Sequence, residues 1–143
     1  MRFSVRDVSP DGLGLVWPAM LPHIERGLRH GEGDTITAEF IRLSLLAGEM
    51  QAWAISEKGC DGILAVLVFR ILCDERGRRL YVVMLAGVRM AEWVEEVEQM
   101  LIDYKDIIGA RCIRASCRVG LARILGKRGW TRQSVIMEAP DGR

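Results

Sequence analysis

The sequence predicts an α/β protein with a mixed, mostly antiparallel central sheet, helices on both faces and the element order β-α-α-β-β-β-α-β-α-β. Two observations lead to this fold class. Two β-branched apolar runs, Ile63 to Leu72 and Leu80 to Ala86, are joined by a short polar turn, which is typical of an antiparallel hairpin inside a sheet. A long amphipathic segment follows, and its apolar residues recur every three or four positions, as in a helix packed on a sheet.

The first residues predict a strand and an irregular helix. Phe3 and Val5 alternate with charged residues, which indicates a short strand. The following apolar residues fall at helical spacing as far as Leu28. We expect this helix to be broken or irregular around Pro18 and Pro22, because proline removes a backbone donor and clashes with the preceding turn.

A second helix and a strand are predicted before the hairpin. Asp34 or Thr35 can cap the first turn of the helix, and Gly48 ends it. Its predicted apolar face consists of Ile36, Phe40, Leu43 and Ala47. The apolar segment from Gln51 to Ser56 then predicts a strand.

The last third of the chain predicts the remaining elements. The long helix carries Trp93 and ends at Gly109, since glycine suits the left-handed turn that closes many helices. A short strand at Cys112 to Ala115, a short helix at Val119 to Lys127 and a final strand at Val135 to Met137 complete the order.

Length and composition narrow the class of protein. The chain has 143 residues, 50% hydrophobic and 27% charged, which suits a single domain spanning residues 1–143. Its longest apolar run, Ile63 to Phe69, is far shorter than the roughly 20 residues of a membrane helix. The charged N-terminus lacks the apolar region of a secretory signal, so we expect a cytoplasmic protein.

Cysteines and histidines give no indication of a metal or nucleophilic site. Four cysteines lack the paired spacing of a zinc site, namely Cys60, Cys73, Cys112 and Cys117. We expect them to be reduced and mostly buried. His23 and His30 have no triad or metal-ligand spacing around them, so a surface or helix-end position is favoured for both. No metal and no catalytic residue is predicted.

Charge is distributed unevenly along the chain. Between Arg111 and Arg132 there are seven cations and no acid, whereas the preceding helix is rich in acids. Three interpretations remain open: a solvated face partly paired with the acidic helix, a surface for another protein or a second copy of this chain, and, least favoured, a nucleic-acid contact. The candidate contact residues are Arg111, Arg114, Arg118, Arg123, Lys127, Arg128, Glu92, Glu95, Glu96 and Trp93.

One local segment and the element order resemble a known superfamily. Ile124 to Trp130, Ile-Leu-Gly-Lys-Arg-Gly-Trp, is similar to the Leu-Tyr-x-Lys-x-Gly-Phe pattern that ends the last helix in the GNAT superfamily of N-acetyltransferases. The predicted order of elements resembles the same superfamily over nearly the whole chain. This resemblance implies the GNAT fold and, for an active member, acetyl-CoA as the cofactor.

The resemblance also locates a cofactor loop, which departs from the pattern here. In the superfamily the fourth strand ends in an Arg/Gln-x-x-Gly-x-Gly/Ala loop whose backbone holds the pyrophosphate of acetyl-CoA. The matching stretch, Ala86 to Ala91, has one glycine and bulky side chains at Val88 and Met90. Glycines let a backbone approach a phosphate, so we expect the cradle to be missing. If the chain does bind acetyl-CoA, the resemblance places the site at Leu85, Gly87, Val88 and Arg89.

Two catalytic groups of the superfamily are also replaced. The tyrosine that protonates the departing thiolate matches Leu125, and the carboxylate near the start of the fourth strand matches Arg78 to Leu80. The nearest acids, Asp74 and Glu75, lie in the hairpin turn. Positioning alone can supply much of the rate of an acyl transfer, but together these differences favour a protein without catalytic activity.

Within the superfamily, the chain resembles more closely the small GNAT-like proteins that tailed bacteriophages encode near their head and tail genes. The likeness lies in the passages Glu39 to Ala54, Leu85 to Trp93 and Arg128 to Trp130. It implies a virion or assembly component without a cofactor, located in the virion or host cytoplasm, with phage structural proteins or copies of itself as partners. The alternative is an N-acetyltransferase that uses acetyl-CoA with a divergent pyrophosphate loop.

Overall fold

The computed structural model describes residues 2–29, 36–117, 119–133, 137 and 139–140. Within them the order of elements is β-α-α-β-β-β-α-β-α, which confirms the predicted order as far as the last helix. The predicted strand at 135–137 lies outside the described residues, apart from Met137. The elements are β1 (Phe3–Val8), α1 (Leu13–Arg29), α2 (Ala38–Leu46), β2 (Gln51–Glu57), β3 (Ala65–Asp74), β4 (Gly77–Gly87), α3 (Met90–Ile107), β5 (Ala110–Ala115) and α4 (Val119–Lys127).

The described strands form one sheet in the spatial order β1-β2-β3-β4-β5. β1 to β4 pair antiparallel with their neighbours, and β5 pairs parallel with β4, so the predicted mixed, mostly antiparallel sheet is confirmed. The β3–β4 hairpin is tighter than the sequence indicated. Asp74 pairs with Gly77, which leaves only Glu75 and Arg76 in the turn.

Both faces of the sheet are covered by helices. On one face, α3 buries Trp93, Val97 and Leu101 against strand residues such as Leu67 and Leu80. On the other, α1 and α2 cover a second apolar cluster from β2, β3 and β4. β3 lies between the two clusters, and Ala65 to Phe69 are completely buried, which explains why this run is apolar at every position instead of alternating.

α1 is one continuous helix from Leu13 to Arg29, so the predicted break around Pro18 and Pro22 is wrong. Both prolines are exposed, whereas Met20 and Ile24 on the same helix are fully buried. Because the prolines lie on the outer side of α1, the carbonyls that lose a partner there can bond water.

The predicted inner face of α2 is also wrong. Ile41, Ser44 and Leu45 are the buried residues of this helix, whereas Phe40 and Leu43 are 49% and 52% exposed. The side chain of Thr37 caps α2 by accepting a hydrogen bond from the N–H of Phe40 at 3.1 Å; the predicted caps, residues 34 and 35, lie outside the described residues.

Three of the four cysteines are exposed and Cys112 is half-buried, which corrects the expectation that most are buried. All four are free thiols. The exposed ones lie in the β2–β3 turn, near the tip of the hairpin and just after β5, positions that the two apolar clusters do not reach. No helix in the described part of the chain is long and apolar enough to span a membrane.

Candidate functional site

β4 changes its surroundings halfway along its length. Its first half pairs with β5 from Arg78 to Val82, and this pairing ends at the Val82–Ala115 pair. At the same point the register with β3 shifts, because Val68 pairs with Met84 but Phe69 pairs with Val82. Val83 is therefore the extra residue of a β-bulge. We call the segment from Val83 to Gly87 the open half of β4, since it pairs with β3 on one edge only among the described strands.

The bulge determines which backbone groups point into the gap beside β5. In an antiparallel pair, residues alternate between those whose N–H and C=O point to the partner strand and those whose groups point away. The N–H of Val88 donates to the carbonyl of Leu64 at 2.9 Å, so the backbone of Val88 points to β3. Gly87 is one residue away and Leu85 three, and their N–H and C=O groups therefore point to the side of β5.

Gly87 is required by packing between strands. A Cβ atom on Gly87 would overlap the carbonyl oxygen of Leu64 and the Cα and Cβ atoms of Ala65, its partner on β3. The glycine that the sequence placed in a cofactor loop thus lets two strands approach each other. The next N–H, that of Val88, is bound to Leu64 and is not available to a phosphate.

An apolar groove lies beside the open half of β4, between β4, α3 and α4. Its enclosed space is small, about 20 Å³, and the rest of the groove is open to solvent. Leu125, at the position of the superfamily's tyrosine, is buried in its wall. The full lining, which we call the apolar groove, consists of Leu67, Val82, Leu85, Val94, Val97, Glu98, Leu101, Ala115, Leu121, Leu125 and Trp130.

Glu98 is the one acidic side chain in this lining, and it fastens the end of α4 to α3. Arg128 donates to Glu98 Oε1 from Nε at 2.9 Å and from Nη2 at 2.7 Å. The indole N–H of Trp130 donates to Oε2 at 2.7 Å. The hydrogen bonds from Arg128 hold the pKa of Glu98 below its ordinary value. A carboxylate held ionised in this way is a poor candidate for a general base.

A second set of polar contacts surrounds the first turn of α3. Arg89, just before α3, donates to Glu92 from Nε at 2.7 Å and from Nη2 at 2.9 Å, and to Glu57 of β2 at 2.9 Å. Arg2 lies within 3.0 Å of Glu57 and 2.9 Å of Glu92. We call these four residues, Arg2, Glu57, Arg89 and Glu92, the ionic cluster.

Arg89, which follows the open half of β4, is bonded within the ionic cluster. Arg89 adopts a left-handed backbone conformation, with φ of 60°, and its side chain reaches Glu57 on β2, the side of α3 opposite to β5. Hydrogen bonds from Arg89 hold the pKa of Glu57 and of Glu92 below their ordinary values. Glu92 and Glu57 in turn raise the pKa of Arg89. The cluster thus contains two cations and two anions and has no formal net charge.

The other candidate contact residues differ in their burial and in their partners. Trp93 is fully buried and donates its indole N–H to the carbonyl of Val88 at 2.8 Å, so it is removed from the candidate contact residues. Arg111 is near Asp74 at 4.0 Å, and Arg118 lies outside the described residues. Glu95, Arg123 and Lys127 have exposed side chains, and Glu95 interacts electrostatically with Arg128. Arg114 and Glu96 are half-buried.

His23 has a different position from the one expected. It is half-buried on α1, and its Nε2 is 2.9 Å from the carbonyl oxygen of Ile63, so its ring joins α1 to the segment just before β3. His30 lies outside the described residues. Among the described residues, no group of three His, Cys, Asp or Glu side chains could hold a metal ion.

Solved structures of acetyltransferases share this fold over almost their whole length. No protein-family model and no curated protein matches the sequence. A ribosomal-protein-alanine N-acetyltransferase from Brucella melitensis matches with a TM-score of 0.69 and 10% identity, over 96% of this chain and 98% of that one. A predicted acetyltransferase from Clostridium acetobutylicum, solved with acetyl-CoA, matches at 0.67 and 12%, over 96% of both chains.

An aminoglycoside acetyltransferase from an uncultured soil metagenomic sample matches with a TM-score of 0.68 and 18% identity, over 98% of this chain and 99% of that one. The chain has the GNAT fold. At these identities the likeness establishes the fold and does not extend to the acceptors, which differ between the two proteins whose names state one.

The GNAT fold allows a test of whether an acetyl-CoA molecule suits the residues present. The open half of β4 and the apolar groove suit the uncharged, amide-containing pantetheine arm, because Leu85 and Gly87 offer backbone groups beside an apolar wall. The start of α3 does not suit the pyrophosphate, because the N–H of Val88 and the guanidinium of Arg89 are already bonded. One end of the site fits the molecule and the other does not.

Proposed function

We propose that this chain binds an acyl thioester of pantetheine in the open half of β4 and transfers the acyl group to an amine. One observation carries the proposal: β4 continues for five residues past its last pair with β5, so the backbone groups of Leu85 and Gly87 point into a gap lined by apolar side chains. This is the alternative interpretation of the sequence, and the acetyltransferase fold supports it.

The proposed reaction needs little from the side chains. An amine nitrogen attacks the thioester carbonyl carbon, the carbon–sulfur bond breaks, and the amine proton ends on the departing thiol. The N–H of Leu85 is suited to hold the pantetheine arm or the carbonyl oxygen, because it points into the gap. Since Leu125 replaces the acid that the resemblance implies, we expect a slow enzyme whose rate comes mainly from holding the two reactants together.

A titration with thioesters tests the proposal. We would titrate the purified chain with acetyl-CoA and with S-acetylpantetheine in a calorimeter. Binding of either at micromolar concentration, with thiol released when a panel of amines is added, supports an acyltransferase. Heat from neither at millimolar concentration contradicts it.

A variant that fills the apolar groove gives a matched control. Leu125→Phe adds volume to a buried wall residue, and we expect it to weaken thioester binding at least about tenfold, because an aromatic ring would occupy the space of the ligand. Leu15→Phe makes the same change at a side chain that is 90% exposed on α1, and binding should not change. Equal effects of the two variants would contradict a site in the groove.

A second candidate function is supported by a different observation. Phe40, Leu43 and Leu46 are between 44% and 52% exposed and follow one another every three residues on α2, and apolar side chains grouped on one surface often mark a contact with another protein. A component of a tailed-phage particle, which the sequence favoured, would use such a surface without any thioester.

Sedimentation separates this candidate from a monomeric enzyme. A contact protein should self-associate or join particle proteins, and changing Phe40 and Leu43 to serine should abolish that association while leaving thioester binding unchanged. A chain that sediments as a monomer at micromolar concentration, and that no particle protein shifts, would contradict the second candidate.

A further inference from the structure

We infer that Glu57 and Glu92 are specificity-determining residues, which make the site select the pantetheine part of its acyl donor and reject a diphosphate. The inference rests on the proposed function, because it specifies the donor of that same site. It implies a preferred donor that is a pantetheine thioester with no phosphate or a single phosphate. The nucleotide end of acetyl-CoA would then contribute nothing to binding, or oppose it.

Some of the backbone N–H groups at the start of α3 are not available to a phosphate. A helix N-terminus attracts a phosphate through its free N–H groups and its dipole. Here the N–H of Val88 is bound to Leu64 and that of Glu92 to the carbonyl of Arg89 at 3.0 Å. Among the described residues, the N–H groups of residues 89, 90 and 91 remain without a backbone acceptor at the start of α3.

The charged side chains at the start of α3 also disfavour a diphosphate. The carboxylate of Glu92 lies in the first turn of α3, where it interacts favourably with the helix dipole that would otherwise attract an anion. Arg89 makes three hydrogen bonds to Glu57 and Glu92, and its side chain is turned toward β2. A diphosphate placed here would meet two carboxylates, and it would have to break their bonds to Arg2 and Arg89 to reach either guanidinium.

There is little room for a phosphate beside the backbone at the end of β4. Gly87, which could otherwise form part of a phosphate loop, packs closely against Leu64 and Ala65. Val88 follows with an exposed side chain at a position where a phosphate cradle needs a bare backbone. By contrast, the apolar groove and the backbone of Leu85 are unaffected by the ionic cluster, so the pantetheine arm keeps its site.

A series of three donors tests the inference. S-acetylpantetheine, S-acetyl-4′-phosphopantetheine and acetyl-CoA carry the same thioester and an increasing number of phosphates. For the wild-type chain at low salt, we expect S-acetylpantetheine to bind at least as tightly as acetyl-CoA. Acetyl-CoA binding about tenfold tighter than S-acetylpantetheine would overturn the inference while leaving the proposed function standing. Binding of none of the three overturns both.

A double variant, Glu57→Gln with Glu92→Gln, provides a second test of the inference. It keeps the shape of both side chains, removes two negative charges and frees Arg89. We expect acetyl-CoA to bind about tenfold more tightly than to the wild type at low salt, with the gain lost at high salt, and S-acetylpantetheine to change less than twofold.

The control Glu95→Gln removes one exposed charge from the same helix, outside the ionic cluster. It should leave all three affinities unchanged. An equal gain for acetyl-CoA in Glu95→Gln, or no gain in a double variant that is folded at the temperature of the titration, would show that the ionic cluster does not set donor specificity.

Discussion

The two halves of β4 differ in their neighbouring strands. Arg78 to Val82 lie between β3 and β5 and are paired on both edges, whereas Met84 to Gly87 are paired with β3 alone among the described strands. A single extra residue, Val83, separates them. Because of this residue, the N–H and C=O groups of even-numbered residues point to β5 before the bulge and to β3 after it. One strand can therefore be paired on both edges in its first half and present an edge unpaired by the described strands in its second half, while both halves bury side chains such as Leu80 and Met84.

The largest expected effect comes from the end of the open half. Gly87→Val should destabilise the chain by about 3 kcal/mol or more, because its side chain would overlap backbone and Cβ atoms of β3 that cannot move away. Urea unfolding of the variant beside the wild type measures the change.

A second glycine provides the control for this substitution. Gly126 lies in α4, and a Cβ there would have no neighbour within 4 Å. Gly126→Ala should therefore be neutral or stabilise the chain by up to about 1 kcal/mol. A Gly87→Val variant as stable as Gly126→Ala would refute the close approach of β3 and β4.

A pair of leucines compares the two halves directly. Leu80, in the paired half, is completely buried, and Leu80→Ala should cost about 3 kcal/mol or more of unfolding free energy because it leaves a cavity. Leu85, in the open half, is half-buried beside the groove, and Leu85→Ala should cost about half as much. Equal costs in urea unfolding would mean that the open half is packed as tightly as the rest of β4.

The smallest expected effect is the pH dependence of the ionic cluster. The pKa values of Glu57 and Glu92 are lowered in the folded chain. Their contribution to stability is therefore complete above the ordinary pKa of glutamate, about 4.3, and is lost as the pH falls through the lowered values. The double variant with Glu57→Gln and Glu92→Gln should be less stable than the wild type at pH 7.

At acidic pH the two proteins should become alike. The difference between their thermal midpoints should shrink between pH 5 and pH 3, because the wild-type glutamates then become protonated and lose their charge. A difference that stays constant over this range would show that these carboxylates do not stabilise the fold through their charge. Both carboxylates are exposed enough for salt to screen the effect.

Much of the fold could be predicted because the hydrophobic pattern of most elements was clear. The apolar run ending at Phe69 is short, rich in β-branched residues and preceded by a turn, which favours a buried strand, and the spacing around Trp93 favours a helix. The pattern of α2 was ambiguous, because the segment Ala38–Leu46 has apolar residues on two sides and periodicity alone does not choose between them. The packing of Ile41 and Leu45 against the sheet decides the matter.

The candidate site was only partly predictable. The resemblance to the superfamily placed Leu85 and Gly87 at the end of the fourth strand, and in the structure they lie beside the gap between β4 and β5. That they bind a cofactor stays a prediction. The bulge at Val83 has no signal in a run of apolar residues. The partner of Arg89 could not be predicted either, since Glu57 is distant in sequence and is brought near by sheet pairing and the path of α3.

The most direct test of the open half of β4 is an NMR titration of the ¹⁵N-labelled chain with S-acetylpantetheine. We expect the amide signals of Leu85 and Gly87 to shift with a common saturation curve, while that of Val88, bound to β3, shifts much less. A titration in which these two amides stay in place, or in which the shifts lie elsewhere on the fold, would contradict a thioester site at the open half of β4.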